Sequence, residues 1–231
     1  MEASQSRFRI QIRESGPYLI LGSVPLIQRY PSKSEYGEPM EWDPVGVDFG
    51  VLPFDERYEL CRCGKSANMP FCDQSHTQHG FTGALTADRR PSSARWKVIQ
   101  GMGMVMNDDG RLCSNAGFCG TRFAKAWEMI KGQDDPEVRL RILRMVANCP
   151  SGRLQISSES GERFEPQFLP SIAVIPDGPL WVRGGISIEA PDGFIYEVRN
   201  RVTLCRCGQS RNKPFCDGSH ERLGFKASFR A

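Results

Sequence analysis

The 231-residue chain has little histidine, only three residues, and no long apolar run; its 30 basic and 27 acidic residues leave a net charge of just +3. Those charges are interspersed. No basic stripe of the kind that grips a phosphate backbone forms, so nucleic acid is not an expected partner. The apolar runs, such as Tyr18 to Leu21, fall far short of the roughly 20 residues that a membrane helix needs, and no membrane span is expected. The opening MEASQSRFRIQIRESG lacks the apolar core of a secretory signal, so the chain reads as cytoplasmic. No nucleophile–base arrangement stands out, and no enzyme is expected. The stretch GMGMVM places Met106 where a dinucleotide loop needs its third glycine. What remains is a chain with 39% hydrophobic residues, enough for a modest core in one large or two small domains.

Cysteine, in contrast, is plentiful and patterned. Two phrases, CRCGKSANMPFCDQSH and CRCGQSRNKPFCDGSH, stand 144 residues apart with one spacing, C-x-C-x8-C-x3-H. They align Cys61, Cys63, Cys72 and His76 with Cys205, Cys207, Cys216 and His220. Clustered cysteines at fixed spacing in a reducing compartment point to metal ligation ahead of disulfides. Three thiolates and an imidazole suit one zinc ion or a 2Fe-2S cluster. Structural zinc sites draw paired ligands from C-x2-4-C turns, and C-x-C is tight for wrapping one ion. Alternate residues of an extended segment can nevertheless place two thiolates on one iron of a cluster, leaving the Cys–His pair for the second. Asp217, next to Cys216, is expected to cap a short helix carrying His220.

The duplication extends beyond the cysteines. GPYLILGSVPL from Gly16 aligns with GPLWVRGGISI from Gly178, so that Tyr18, Ile20, Gly22, Val24 and Leu26 match Leu180, Val182, Gly184, Ile186 and Ile188. Period-two patterning around a central glycine predicts a strand bent or bulged there. A Gly-Phe pair follows each histidine phrase, Gly80-Phe81 and Gly224-Phe225. The first copy has a longer connection, and its extra residues, Gln28 to Pro44, read as an irregular surface excursion, with a cover over the site or a docking element as the alternative. Three parts result: residues 1–86 with the first repeat, a middle segment 87–170, and residues 171–231 with the second. In the middle segment a strand is predicted at Trp96 to Ile99, a turn at Asn107 to Gly110, and helices at Thr121 to Lys131 and from Asp135, as N-cap before Pro136, to about Ala147. Val138, Ile142 and Met145 or Val146 form the apolar face of the second helix. NCPSGRLQIS then turns into a strand.

The motif C-x-C-x2-Ser-x3-Pro-x-C-D-x-S-H resembles that of the CDGSH iron-sulfur family, to which mitoNEET belongs. Cys205 to His220 match at every motif position; the first copy departs only at Gln74, where the family has glycine. The resemblance implies two 2Fe-2S clusters, each held by three cysteines and one histidine. Single-motif members are similar in forming homodimers with shared strands in a β-rich cap. The expected fold is therefore α+β and β-rich: an internal pseudo-twofold pseudo-dimer, a β cap plus two cluster-binding loops, with a small α+β middle segment. The middle segment's LCSNAGFC and CPSGRL look like a divergent ferredoxin-type module, C-x-H-[SA]-G-x-C followed by C-P-S-G-A-L. Cys113, Cys119 and Cys149 match its cysteines, and Asn115 stands in place of its histidine. With three obvious ligands the segment reads as a degenerate module whose cysteines pack as small apolar residues, a third cluster being the alternative.

The expected function is electron transfer, or donation of clusters to apo-proteins, by a monomer whose partner is a redox protein or an apo iron-sulfur acceptor. A zinc-binding adaptor and an electron-transfer subunit of a separate oxidoreductase are the alternatives. Arg62, Lys65, Arg206, Arg211 and Lys213 read as a solvated basic rim, able to steer an acidic partner. His79 reads as a surface residue.

Overall fold

The computed structural model describes residues 7–43, 47–48, 56–132 and 135–227. From the N-terminus the first repeat runs β1 (Arg9–Ile12), β2 (Tyr18–Leu21), β3 (Leu26–Gln28), β4 (Pro31–Lys33), β5 (Pro39–Trp42), β6 (Val47–Asp48), β7 (Arg57–Leu60) and α1 (Ser75–Gln78). The middle segment holds β8 (Lys97–Gln100), β9 (Val105–Asp108), α2 (Ala126–Met129), α3 (Pro136–Ala147), β10 (Leu154–Ser157) and β11 (Arg163–Phe164). The second repeat adds β12 (Ser171–Val174), β13 (Leu180–Arg183), β14 (Ser187–Glu189), β15 (Arg201–Leu204) and α4 (Ser219–Arg222).

The repeats trade strands. One sheet has the order β14-β1-β2-β7, and another has β15-β13-β12-β3-β6. β14 of the second repeat lies parallel to β1, Ile188 opposite Ile10, while β3 of the first lies parallel to β12, Leu26 opposite Ile172. Each sheet is thus three strands of one repeat extended by strands of the other, β14 in the first sheet and β3 with its neighbour β6 in the second, the pseudo-twofold arrangement that the duplication implies. The aligned apolar positions supply the core: Tyr18, Ile20, Val24, Leu26 and Leu60 bury against Leu180, Val182, Ile186, Ile188 and Leu204.

Gly22 and Gly184 are where each repeat changes sheet, so the expected bent strand is two strands. Gly22 has φ +94° and a Cβ there would strike the Arg7 carbonyl oxygen; Gly184 has φ +75° and its Cβ would lie 2.5 Å from the Pro170 nitrogen. Only a residue without a side chain turns there.

The extra segment of the first repeat is not irregular. Its described part, to Asp43, contains the antiparallel hairpin β4-β5, while Pro44 lies outside the described residues. The hairpin ends in Trp42, whose ring lies 4.8 Å from Phe118 and 4.7 Å from Trp181, and whose indole donates to the Asn148 carbonyl at 2.9 Å. This aromatic burial outweighs the local preference of the Pro- and Glu-bearing stretch for a loop.

In the middle segment four antiparallel strands, ordered β11-β10-β9-β8, pack against α3 through Met106, Leu154, Ile156, Ile142 and Val146. The Asp135 carboxylate caps α3 through the Glu137 amide at 2.8 Å, with Pro136 in the first turn, as the pattern predicts. The expected helix over 121–131 shrinks to Ala126–Met129. The Thr121 hydroxyl accepts from the Phe123 and Ala124 amides, holding a turn that competes with helix. The expected turn at Asn107 to Gly110 begins later, because Asn107 and Asp108 pair within β9; Asp109 then caps a 3-10 turn at Gly110–Leu112.

Two arginines clamp the middle segment to the second repeat. Arg199 donates to the Gly152 carbonyl and the Ser92 hydroxyl, both at 2.6 Å. Arg201, 1% exposed, donates to the Val146, Ala147 and Cys149 carbonyls at the end of α3 and pairs with Glu165 at 2.9 Å. The matching position of the first repeat is Arg57, which is exposed. Truncating Arg201 strands four carbonyls, that of Leu154 included, and a carboxylate, so Arg201→Ala is expected to lower unfolding free energy by about 3–5 kcal/mol in urea titration.

Candidate metal centre

Both cysteine loops share one framework of hydrogen bonds. β7 and β15 deliver Cys61 and Cys205, whose amides donate to Pro70 and Pro214 carbonyls at 2.8 Å in each case. The Ser66 and Ser210 hydroxyls donate to the Phe71 and Phe215 carbonyls at 2.7 Å. Asp73 accepts from the Ala67 and Ser75 amides; Asp217 accepts from those of Arg211 and Ser219. These aspartates hold the first amide of helices only four residues long, but neither is the N-cap. That place belongs to Gln74 and Gly218, both left-handed at φ +68° and +79°. The expected cap at Asp217 therefore sits one residue early.

Within each loop the predicted ligands meet as two pairs. Cys61 and Cys63 sulfurs are 3.7 Å apart, and Cys205 and Cys207 sulfurs 3.8 Å. Cys72 Sγ lies 3.5 Å from His76 Nδ1, and Cys216 Sγ lies 3.3 Å from His220 Nδ1. All nine cysteines are free thiols. Among the described residues no three His, Cys, Asp or Glu side chains gather tightly enough to hold one ion. In each C-x-C pair one thiol supports the other as thiolate: a hydrogen bond from Cys63 brings Cys61 down to about 6, and one from Cys205 brings Cys207 down to about 7. Burial lowers the His220 imidazole and so favours its neutral, ligand-competent form.

The loops stand back to back. A Cβ on Gly64 would lie 2.6 Å from the Cys207 carbonyl oxygen, and one on Gly208 would lie 2.5 Å from that of Cys63. Beneath them are two arginines that the sequence places on a solvated rim. Arg62 and Arg206 are each 1% exposed. Arg62 donates to the Gly16, Arg13 and Gly83 carbonyls, Arg206 to those of Gly178 and Ile175. Aromatic rings cover them, Phe81 at 5.1 Å and Phe225 at 5.4 Å, which gives the Gly-Phe tails their role. Burial draws Arg206 down to about 10, opposed by the thiolates of Cys61 and Cys207 from both repeats. Of the expected rim, Lys65 and Arg211 are exposed and Lys213 is half-buried; His79 is exposed.

Of the middle segment's Cys113, Cys119 and Cys149, Cys119 packs against the segment's core. All three are half-buried and line a cavity of ≈ 350 Å³ together with Arg153, Ser151 and Glu221 of α4. Burial pushes the Cys119 thiol up to about 11, with Cys149 and Cys113 adding to it. Asn115 accepts from Cys113 Sγ at 3.4 Å and touches the second loop, where a Cβ on Gly218 would come within 2.6 Å of its amide.

The iron-binding zinc finger of CDGSH type matches the chain at residues 15–77 and 177–221, and a divergent 4Fe-4S mono-cluster segment matches residues 99–159. The molecule is an iron-sulfur protein. More particularly, it carries two CDGSH-type domains of the CDGSH iron-sulfur family on either side of a divergent ferredoxin-like segment. No curated protein matches the chain. Among the described residues no helix is long and apolar enough to cross a membrane.

Gln74 occupies the backbone conformation that Gly218 occupies in the other loop, and a side chain there is exposed rather than covered. A left-handed conformation costs a non-glycine residue about 1–2 kcal/mol, partly offset by the extra chain entropy of glycine when unfolded. Gln74→Gly is expected to raise stability by about 0.5–1 kcal/mol in denaturant titration, whereas Gly218→Gln, facing Asn115, is expected to destabilise.

Proposed function

We propose that each CDGSH loop holds a 2Fe-2S cluster through three cysteines and one histidine, and that the protein carries electrons or donates these clusters to apo-proteins without catalysing a reaction of its own. The division of each ligand set into two pairs carries this reading. Two sulfurs on one tetrahedral metal at roughly 2.3 Å stand ~3.8 Å apart, and a sulfur and a nitrogen at roughly 2.3 and 2.0 Å stand ~3.5 Å apart. The pairs have those spacings, so each fits one metal centre. Four ligands split between two centres suit a binuclear cluster better than a single zinc ion. Arg62 and Arg206 fit the same reading, since buried guanidiniums between the loops balance thiolate-bound, anionic groups.

Bound there, the cluster supplies reversible one-electron chemistry. His76 and His220 contribute neutral ligands, which raise the reduction potential relative to four thiolates. The amides of Gly64 and Ser66 support the Cys61 thiolate, and Gly218 N–H donates to Cys216 Sγ at 3.4 Å. The cysteines around the middle cavity offer three thiolates to a 4Fe-4S-type group, without the histidine of the motif.

Protein purified anaerobically is expected to show iron-sulfur charge-transfer bands with about four irons per chain if the CDGSH loops alone are filled, and about eight if the middle cavity is also filled. A colourless protein with stoichiometric zinc refutes the reading. Mixing with apo-ferredoxin separates cluster donation from electron transfer by whether iron or only reducing equivalents move.

Acid competes with iron for the imidazole nitrogens, so the bands are expected to bleach on the acid side of neutrality. His220→Cys is expected to keep its cluster, lower its potential and leave about half of the colour acid-labile, as read by voltammetry and absorbance. Because the self-complementary strands are satisfied within one chain, sedimentation is expected to give a monomer.

A further inference from the structure

We propose that the two CDGSH sites have different tasks: the first releases its cluster to a thiol-bearing acceptor protein, while the second is retained by the middle segment. The inference rests on both loops holding clusters, as above, and its basis is where the pseudo-twofold symmetry fails.

Three departures fall on the same side. The second repeat grips the middle segment through Arg199 and Arg201, whereas the first repeat meets it through the hairpin, at Glu38, Met40 and Trp42. The middle segment also touches the second loop directly: Asn212 Nδ2 donates to the Arg111 carbonyl at 2.8 Å, the Ala87 amide donates to the Lys213 carbonyl at 2.9 Å, and Asn115 lies on Gly218. The first repeat contributes the third departure. Its Tyr18, fully buried, reaches across the pseudo-axis and donates to the Cys205 carbonyl at 2.8 Å, within reach also of that of Pro214 at 3.1 Å. The residue at the matching position of the second repeat is Leu180, which has no hydroxyl to return this bond.

Burial follows the same division. Cys216, Gly218 and Ser219 are buried, whereas Cys72 is half-buried and Asp73 and Gln74 are exposed. Asn115 lies over Gly218, whereas Gln74, at the matching place in the first loop, is exposed.

Release needs no oxidant or reductant. At the first loop an acceptor thiol displaces His76: an iron–nitrogen bond breaks, an iron–sulfur bond forms, and the thiol proton passes to the imidazole. Each remaining cysteinate is then exchanged for an acceptor thiolate, taking up that thiol's proton. At the second loop the same approach is obstructed by the middle segment and by a backbone that Tyr18 holds in place.

The test loads the full chain with iron and sulfide, adds excess apo-ferredoxin anaerobically, and follows visible absorbance in the separated acceptor. Half of the clusters are expected to move in a fast phase and the rest about tenfold more slowly, the factor that one or two lost hydrogen bonds would give in a rate. Cys72→Ser is expected to remove the fast phase only. Tyr18→Phe, which keeps the ring and removes the hydroxyl, is expected to accelerate the slow phase several-fold and leave the fast one unchanged. A single phase, no transfer from a loaded chain, or a fast phase that survives in cluster-loaded Cys72→Ser overturns the proposal. A chain that takes up no iron-sulfur colour at all overturns instead the reading on which it rests.

Discussion

Neither repeat can finish its own sheet, and the rest of the structure depends on that. β3 and β14 leave their own repeats at Gly22 and Gly184 and join the sheet of the other half, in parallel register against β12 and β1 respectively. The exchange buries the aligned apolar positions of both copies in one core, including Tyr18, Ile20, Leu180 and Val182. At about 25 cal/mol per Å² of apolar surface removed from water, a shared core stabilises two short repeats that are individually too small to bury enough. It also brings the two cysteine loops into backbone contact, with Gly64 and Gly208 each lying against the other loop's cysteine carbonyl.

That contact creates an electrostatic demand, which Arg62 and Arg206 meet. Each guanidinium spends its donors on carbonyls of the strand turns below the loops and is covered by an aromatic ring. A buried cation is costly in isolation. Here it lies near sulfurs from both repeats, so the two cationic centres are shared across the pseudo-axis. A lysine could not reproduce the fork of hydrogen bonds that fixes Arg62 to three carbonyls.

The middle segment breaks the symmetry. It has a core of its own; Arg199 and Arg201 bind it to the second repeat and its Asn115 reaches the second cysteine loop, while the first repeat holds it through the Trp42 hairpin. The half-buried cysteines of its cavity therefore lie beside Glu221 of α4, next to His220, rather than beside His76. Two loops of nearly identical sequence thus have different surroundings, one open and one covered.

Much of this is legible in the chain itself, because it depends on local chemistry. The C-x-C and C-x3-H spacings set which ligands pair, since two or four residues along an extended segment or a helical turn leave little choice of geometry. Asp135 and Pro136 start α3 for reasons confined to one helical turn. The period-two alignment of the repeats identifies the core residues. What tertiary structure alone decided depends on partners distant in sequence. Nothing local marks Arg62 and Arg206 as buried, because an arginine's environment is set by which carbonyls and rings arrive around it. Gln28 to Asp43 reads as loop because its propensities are weak; Trp42 makes it a hairpin by finding Phe118 and Trp181. Gly22 marks a bend in the sequence, but that the bend passes a strand to the other sheet follows from the core on the far side. The inequality of the two cysteine loops is of the same kind: their sequences are almost alike, and only what packs on each one tells them apart.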